Sequence, residues 1–317
     1  MALDILCIVL GIVMILKGAD TMVDGATGLA RRLRVGEVVI GLTVVAFGTS
    51  LPEFVVSMFS ALKGSADMSA GNVVGSNIFN TLAILGVTAI VTTVPVGRRA
   101  LFVDIPLSLF SALIFILLCF DMYLWGWDVN QLSRLDGALL LLLFAIFMGY
   151  SFWLSRRKVE VDSFVEDKQG YALILLKIVL GIALLVLGGN ILVDSAASVA
   201  REFGVSEAVI GLTLLAAGTS LPELATSAVA ARKGSVGMAV GNVIGSNVFN
   251  VFLVLGAASL IRPMQIEGIR GLDVAFLLGS SLAVMLLAIA FRRLNRWMGI
   301  LLVVAYAVYL ALLIAAS

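Results

Sequence analysis

The stretch LFVDIPLSLFSALIFILLCF, residues 101–120, holds a single charged residue, and MGILLVVAYAVYLALLIAA, residues 298–316, holds none. Apolar runs of about 20 residues are long enough to cross about 30 Å of hydrocarbon as helices. No water reaches the backbone there, so spanning segments must pair their own peptide groups. Irregular backbone survives only where protein buries it or where it lines a wet cavity. Runs of this kind recur along the chain and select an all-α polytopic membrane protein. Composition agrees: 61% of the residues are hydrophobic and only 13% charged, with a mean hydropathy of +1.13, whereas a soluble domain carries about 25% charge. The first apolar run passes into further membrane sequence without a small-residue cleavage site, and so reads as a retained helix rather than a leader.

Several chemistries are excluded early. The chain has no histidine, which removes the commonest transition-metal ligand and the one side chain that titrates unperturbed near neutrality. A zinc enzyme and a histidine proton relay are both ruled against. Cys7 and Cys119 lie in apolar runs and read as small buried residues without a disulfide framework. The net charge of +1 selects no partner, and nothing points to nucleic acid.

Shifting the second half back by 170 positions superposes it on the first. GLTLLAAGTSLPEL (211–224) falls on GLTVVAFGTSLPEF (41–54), RKGS (232–235) on LKGS (62–65), and GNVIGSNVFN (241–250) on GNVVGSNIFN (71–80). A constant offset through some forty residues and a turn is an internal repeat. Each half reads as five membrane segments, near 4–28, 37–62, 68–93, 100–120 and 135–154, then 170–194, 206–231, 237–260, 272–291 and 297–316. The expected organisation is a first repeat over 1–154, a cytoplasmic linker over 155–169 and a second repeat over 170–317. Units with an odd number of crossings insert with opposite topology, the inverted-repeat plan of many secondary transporters. With both termini outside, fourteen basic residues fall in inner loops, among them Arg31, Arg98, Arg156, Lys233 and Arg292, and five in outer loops, namely Lys63, Arg134, Arg201, Arg262 and Arg270. That bias follows the positive-inside rule.

The repeated GTSLPE puts a helix breaker and a carboxylate inside an apolar segment. Proline lacks an N–H and clashes with the carbonyl four residues earlier, so Pro52 and Pro222 are expected to free carbonyls around Ala46 to Gly48 and Ala216 to Gly218. Thr49, Ser50 and Glu53 share a helix face at i, i+1 and i+4, as do Thr219, Ser220 and Glu223. In the next segment Asn72, Ser76 and Asn80 form a polar stripe at four-residue spacing, matched by Asn242, Ser246 and Asn250. Inverted repeats bring such breaks together near the midplane. The ligands are then all oxygen, which suits hard cations such as Ca2+. An intramembrane carboxylate costs at least ~2.5 kcal/mol, and one Ca2+ or two Na+ would neutralise the pair.

Plainer readings stand beside these. Glu53 and Glu223 could be hydrogen-bonded structural carboxyls, although their repetition inside the membrane favours function. Gly71, Gly75, Gly241 and Gly245 have small-xxx-small packing spacing. Asn72, Asn77, Asn242 and Asn247 fit interhelical hydrogen bonding as well as site lining. Ser57 and Ser227 are weaker candidates, and Asp104 and Asp273 read as interfacial or packing residues.

GTSLPE followed by GNVVGSNIFN, both repeated in the second half, resembles the alpha-repeats of the cation/Ca2+ exchanger superfamily, most closely prokaryotic sodium/calcium exchangers. The resemblance covers essentially the whole chain. It implies ten helices in two inverted five-helix halves, and countertransport in which Na+ influx, typically of three ions, drives out one Ca2+. It implies that Glu53 and Glu223 are central carboxylates shared by both ions, with Thr49 and Thr219 adding oxygens for Ca2+. Ser50, Ser76, Ser220 and Ser246, with the carbonyls of Ala46 and Ala216, would serve flanking Na+ sites, and Asn80 and Asn250 would lie at the centre. Some relatives, including K+-dependent ones, carry Asp where this chain has Asn250. Asn leaves two formal charges, which argues against K+ co-transport and for electrogenic exchange. No cofactor is expected, the bound ions being the transported Ca2+ and Na+. The surroundings are a lipid bilayer, here the cell's inner membrane, and a monomer can form the whole site.

Other functions remain in play. An H+/Ca2+ antiporter would use the same fold and the same glutamates. A cation channel fits less well, because filters commonly use rings of like residues from several subunits. An intramembrane hydrolase lacks a nucleophile–base pair.

Overall fold

The computed structural model describes residues 2–120, 129–155, 169–204 and 216–315. The linker expected over 155–169 lies almost wholly outside the described residues, as does the start of the segment expected over 206–231. The helices are α1 (Ala2–Leu33), α2 (Glu37–Thr49), α3 (Leu51–Lys63), α4 (Ala66–Val91), α5 (Ala100–Cys119) and α6 (Arg134–Ser155) in the first half. The second half has α7 (Tyr171–Glu202), a single turn Ala216–Gly218, α8 (Leu221–Arg232), α9 (Val236–Ile261), α10 (Gly271–Phe291) and α11 (Arg296–Ala315). Among the described residues eight helices are long and apolar enough to cross a membrane, and the pair α2–α3, bent by 48°, counts as a ninth when taken as one broken span.

Burial divides these helices into two classes. The most apolar windows of α4 and α9 are 83% and 78% buried, whereas those of α6 and α11 are only 22% and 17% buried. The central pair therefore carries the polar stripe, and the outer helices turn Leu135, Ile146, Leu301 and Val304 outward, toward lipid. Helices α1 and α7 pack along each other at glycines: a Cβ at Gly18 would stand 2.9 Å from the Gly181 carbonyl oxygen. Close backbone approach of this kind is how helices associate where lipid is as apolar as leucine.

Two short ribbons, absent from the sequence reading, tie the halves together. Strand β1 (Val94–Pro95) pairs antiparallel with β4 (Arg293–Leu294), and β2 (Gln131–Leu132) with β3 (Met264–Gln265). Each joins a loop of the first half to a loop of the second. At the start of α10 the buried Asp273 accepts a 2.8 Å bond from the Tyr309 hydroxyl and a 2.9 Å bond from the Arg270 backbone N–H. Asp104, buried near the start of α5, pairs with Arg99 at 3.4 Å. Each is thus tied to a neighbour near a helix start, and Asp273 also lines a large cavity. Tyr309→Phe is expected to cost about 1–2 kcal/mol by leaving a buried acceptor short of a partner, read as a lowered melting temperature of the purified protein.

The break at GTSLPE differs in one respect from the expected kink. The first helix ends at Thr49, Ser50 adopts φ −83°, ψ 7°, and α3 starts afresh at Leu51, bent by 48° from α2. Pro52 thus sits in the first turn of a new helix, where a missing N–H costs nothing. The Ala46 carbonyl is not freed: it accepts the Ser50 N–H at 3.0 Å, which leaves it one lone pair. Ser220 and Pro222 repeat the break, with φ −92°, ψ 6° at Ser220, except that the Ser220 N–H donates to the Ala217 carbonyl, at 3.2 Å, rather than to Ala216.

Candidate cation site

The site forms where the two breaks face the middle of the two central helices. Glu53 and Glu223, in the first turns of α3 and α8, are both completely buried. Each is held by the other half's break: Ser50 Oγ donates to Glu223 Oε1 at 2.8 Å, and Ser220 Oγ donates to Glu53 Oε1 at 2.8 Å. Ser246 Oγ lies 3.4 Å from the same Glu223 oxygen, and Ser76 Oγ lies 3.0 Å from Ser220 Oγ. Thus Ser50, Ser76, Ser220, Ser246, Glu53 and Glu223 are brought together.

The stripe asparagines do more than line a wall. Asn72 Nδ2 donates to Ser57 Oγ at 3.0 Å and lies 3.4 Å from the Glu53 carbonyl oxygen, and Asn242 makes the same pair to Ser227 and Glu223 at 3.0 and 3.4 Å. Their other ends reach across the halves: Thr49 Oγ1 stands 3.1 Å from Asn242 Oδ1, and Thr219 Oγ1 stands 3.5 Å from Asn72 Oδ1. Asn72 and Asn242 therefore position both threonine and glutamate, and Ser57 and Ser227 serve as their anchors. Thr49 is buried, with its hydroxyl also 3.1 Å from the Val45 carbonyl oxygen, while Thr219 is half-buried at a cavity wall. Ala46 lies at the end of α2 beside the site, and Ala216 opens the single turn before the second break.

Asn80 and Asn250 occupy the middles of α4 and α9, where the helices widen to π-helical turns over Asn80–Ile84 and Phe249–Leu255. Such turns are often found at functional sites, and no residue pattern in the sequence announced them. Four buried oxygens here lack any hydrogen-bond partner: Glu53 Oε2, Glu223 Oε2, Asn80 Oδ1 and Asn250 Oδ1. They are two pairs related by the offset of 170. A buried acceptor without a donor is costly, and each half leaves one carboxylate and one amide oxygen in that state. Two further hydroxyls escaped the sequence reading. Thr81 Oγ1 and Ser108 Oγ accept from Asn247 Nδ2 at 2.9 and 3.1 Å. Their only sequence signal was polarity inside apolar runs.

A cavity of about 710 Å3 leads away from Thr219 and Asn72, past Asp194 and Tyr309, toward Asp67 and Gly268. Next to Thr81, Ser108 and Asn247, beside the β1–β4 ribbon, lies an apolar crevice of about 30 Å3.

The family model described as "Sodium/calcium exchanger protein" matches residues 3–153 and 173–315. The chain is 35% identical to the "Putative antiporter CaxA" of Alkalimonas amylolytica over 96% of this chain and 97% of that one. It is 31% identical to the "Sodium/calcium exchanger MaX1" of Methanosarcina acetivorans over 98% of both. Among solved structures, it is similar to the sodium-calcium exchanger NCX_Mj soaked with Na+ and Sr2+, with a TM-score of 0.84, 31% identity and 98% coverage of each chain.

Proposed function

Because this multi-span membrane chain belongs to the sodium/calcium exchanger family, we propose that it moves Na+ inward in exchange for Ca2+ through the site described above, by alternating access. The observation that carries this reading is the set of four unpartnered oxygens, two carboxylate and two amide, supplied in equal pairs by the two halves. Ca2+ takes about 6–8 oxygens in flexible geometry, and the neighbouring hydroxyls of Thr49 and Thr219 add to the four. Ser50, Ser76, Ser220, Ser246 and the carbonyls of Ala46 and Ala216 provide the flanking Na+ positions. Two negative charges match one Ca2+ or two Na+. With a third Na+ the loaded site carries a net positive charge, so exchange of three Na+ for one Ca2+ moves charge.

The same reading assigns ten helices to two inverted five-helix repeats, 1–154 and 170–317, in the inner membrane with both termini outside. Reciprocal serine–glutamate bonds across the halves support a two-fold relation between the repeats. With that topology the large cavity faces outward and the small crevice marks the closed inner path. Alternating access then exchanges which side is open.

The reading is tested with purified protein in liposomes under imposed Na+, H+ or K+ gradients, reading uptake of radiolabelled Ca2+. An outward Na+ gradient is expected to drive uptake that accelerates when valinomycin and an inward K+ gradient make the interior positive, because three Na+ leaving for one Ca2+ entering carries one positive charge out. Uptake driven by a pH gradient and indifferent to Na+ would establish the proton-coupled antiporter instead.

A further inference from the structure

We propose that Asn77 and Asn247 set the ligand chemistry of the site by fixing which end of the Asn250 and Asn80 amides faces the ion. This rests on reading Asn80 and Asn250 as cation ligands. An asparagine helps a cation only through its oxygen; turned by 180°, the same side chain points an NH2 donor at it. Shape does not distinguish the two ends, so the hydrogen-bond network decides.

The network here decides by a chain of necessity. The Asn247 backbone carbonyl can only accept, and Asn77 Nδ2 donates to it at 3.2 Å. Asn77 Oδ1 is thereby turned the other way, where it accepts Asn250 Nδ2 at 3.1 Å. Asn250 must then present Oδ1 to the site, and that atom has no other partner. Asn247 does the same for Asn80 across the halves: its Oδ1 accepts Asn80 Nδ2 at 3.1 Å, and Asn80 Oδ1 is left without a partner. All four side chains are buried, so no water substitutes for a lost partner.

The two locks are anchored differently. Asn77 is tied to a carbonyl, which admits one orientation. Asn247 is tied to the hydroxyls of Thr81 and Ser108, which can donate or accept. The second half offers Asn77 no matching hydroxyl at the position equivalent to Thr81, where Val251 stands. The first-half lock is the stricter, and its loss has the larger consequence.

Replacing partners that orient metal ligands typically costs 10–100-fold in affinity. Asn77→Leu is expected to raise the Ca2+ concentration for half-maximal uptake by about tenfold or more, with the maximal rate much less changed. Asn77→Asp, as a neutral carboxyl, keeps a donor toward the Asn247 carbonyl and an acceptor toward Asn250, and should stay within about threefold of the parent by the same scale. The decisive arm is a double variant. In an Asn250→Asp background an ionised carboxylate presents oxygen to the ion in either orientation and has no N–H for Asn77 Oδ1 to hold, so adding Asn77→Leu removes no favourable contact and should cost under about threefold, a non-additivity typical of direct partners. Should Asn77→Leu fail to fold, Thr81→Val with Ser108→Ala unties Asn247 alone and should raise half-saturation about three- to tenfold. Wild-type Ca2+ dependence of Asn77→Leu, or an equal cost in both backgrounds, would overturn the lock and leave the site intact. An Asn250→Leu variant with unchanged Ca2+ dependence would overturn the ligand reading, and the lock with it.

Discussion

Glu53→Gln and Glu223→Gln are each expected to reduce Na+-driven Ca2+ uptake at least about 100-fold while leaving a folded, monodisperse protein. The glutamine keeps an oxygen for the serine that now bonds Oε1, Ser220 or Ser50, so the packing of the break survives. What disappears is one of two charges on side chains that are both buried. A unit charge pair 4 Å apart is worth about 4 kcal/mol at an effective dielectric of 20, and every 1.4 kcal/mol is tenfold in binding. The double variant should be no worse than either single one, because a site lacking one carboxylate already fails to hold Ca2+. Transport at the parental rate by either single variant would show that its carboxyl is structural. Uptake per correctly folded protein, with size-exclusion profiles alongside, makes the measurement.

Gly241→Leu is expected to be as damaging by a different route. Gly241 carries no ligand. A Cβ there would stand 2.5 Å from the Val38 carbonyl oxygen and 3.0 Å from the Leu42 backbone nitrogen, and one at Gly245 would stand 2.8 Å from the Leu42 carbonyl oxygen. These are backbone atoms of α2, which cannot turn aside as a side chain does. Overpacking a core typically costs about 1–3 kcal/mol. Here it also pries α9, with Asn242, Ser246 and Asn250, away from the helix that presents Thr49 and Ser50. Loss of most folded protein on expression, and no Na+-driven uptake from what remains, is the expected result. Thermal denaturation of the purified variant reads the first effect, and flux the second. Gly241→Ala, which adds only the Cβ, should lie between leucine and the parent.

The two examples mark what was legible in the sequence. Apolar run length located the eight long spans found among the described residues, because the bilayer leaves the backbone no other choice. The offset of 170 matched Glu53 to Glu223 and Ser50 to Ser220, and the four meet crosswise, Ser50 bonding Glu223 and Ser220 bonding Glu53. Glycine spacing at 241 and 245 announced close packing, and the structure shows its target in α2; the same reading fails at Gly71 and Gly75, where a Cβ would meet nothing within 4 Å, because both line the large cavity. Other features had no such signal. A π-turn at Asn80 depends on how the backbone pairs within one helix, which no side-chain periodicity records. Proline in the membrane suggested a kink with freed carbonyls. The helix instead ends at Ser50 and restarts, so the proline sits at a helix start and the Ala46 carbonyl stays bonded. Asn77 and Asn247 looked interchangeable with site-lining residues, because an amide's role is set by partners from the opposite half of the chain. The two-residue ribbons were invisible for the same reason: Val94 and Leu294 meet only after the bundle has formed.

The central claim is that one site, built equally by both halves, serves both ions in turn. Equilibrium binding of radiolabelled Ca2+ to the purified protein, titrated with Na+, tests it most directly. One Ca2+ per chain, displaced by Na+ with a Hill coefficient above one and abolished by either Glu53→Gln or Glu223→Gln, is the predicted result. Ca2+ that stays bound at saturating Na+, or that survives both substitutions, would contradict it.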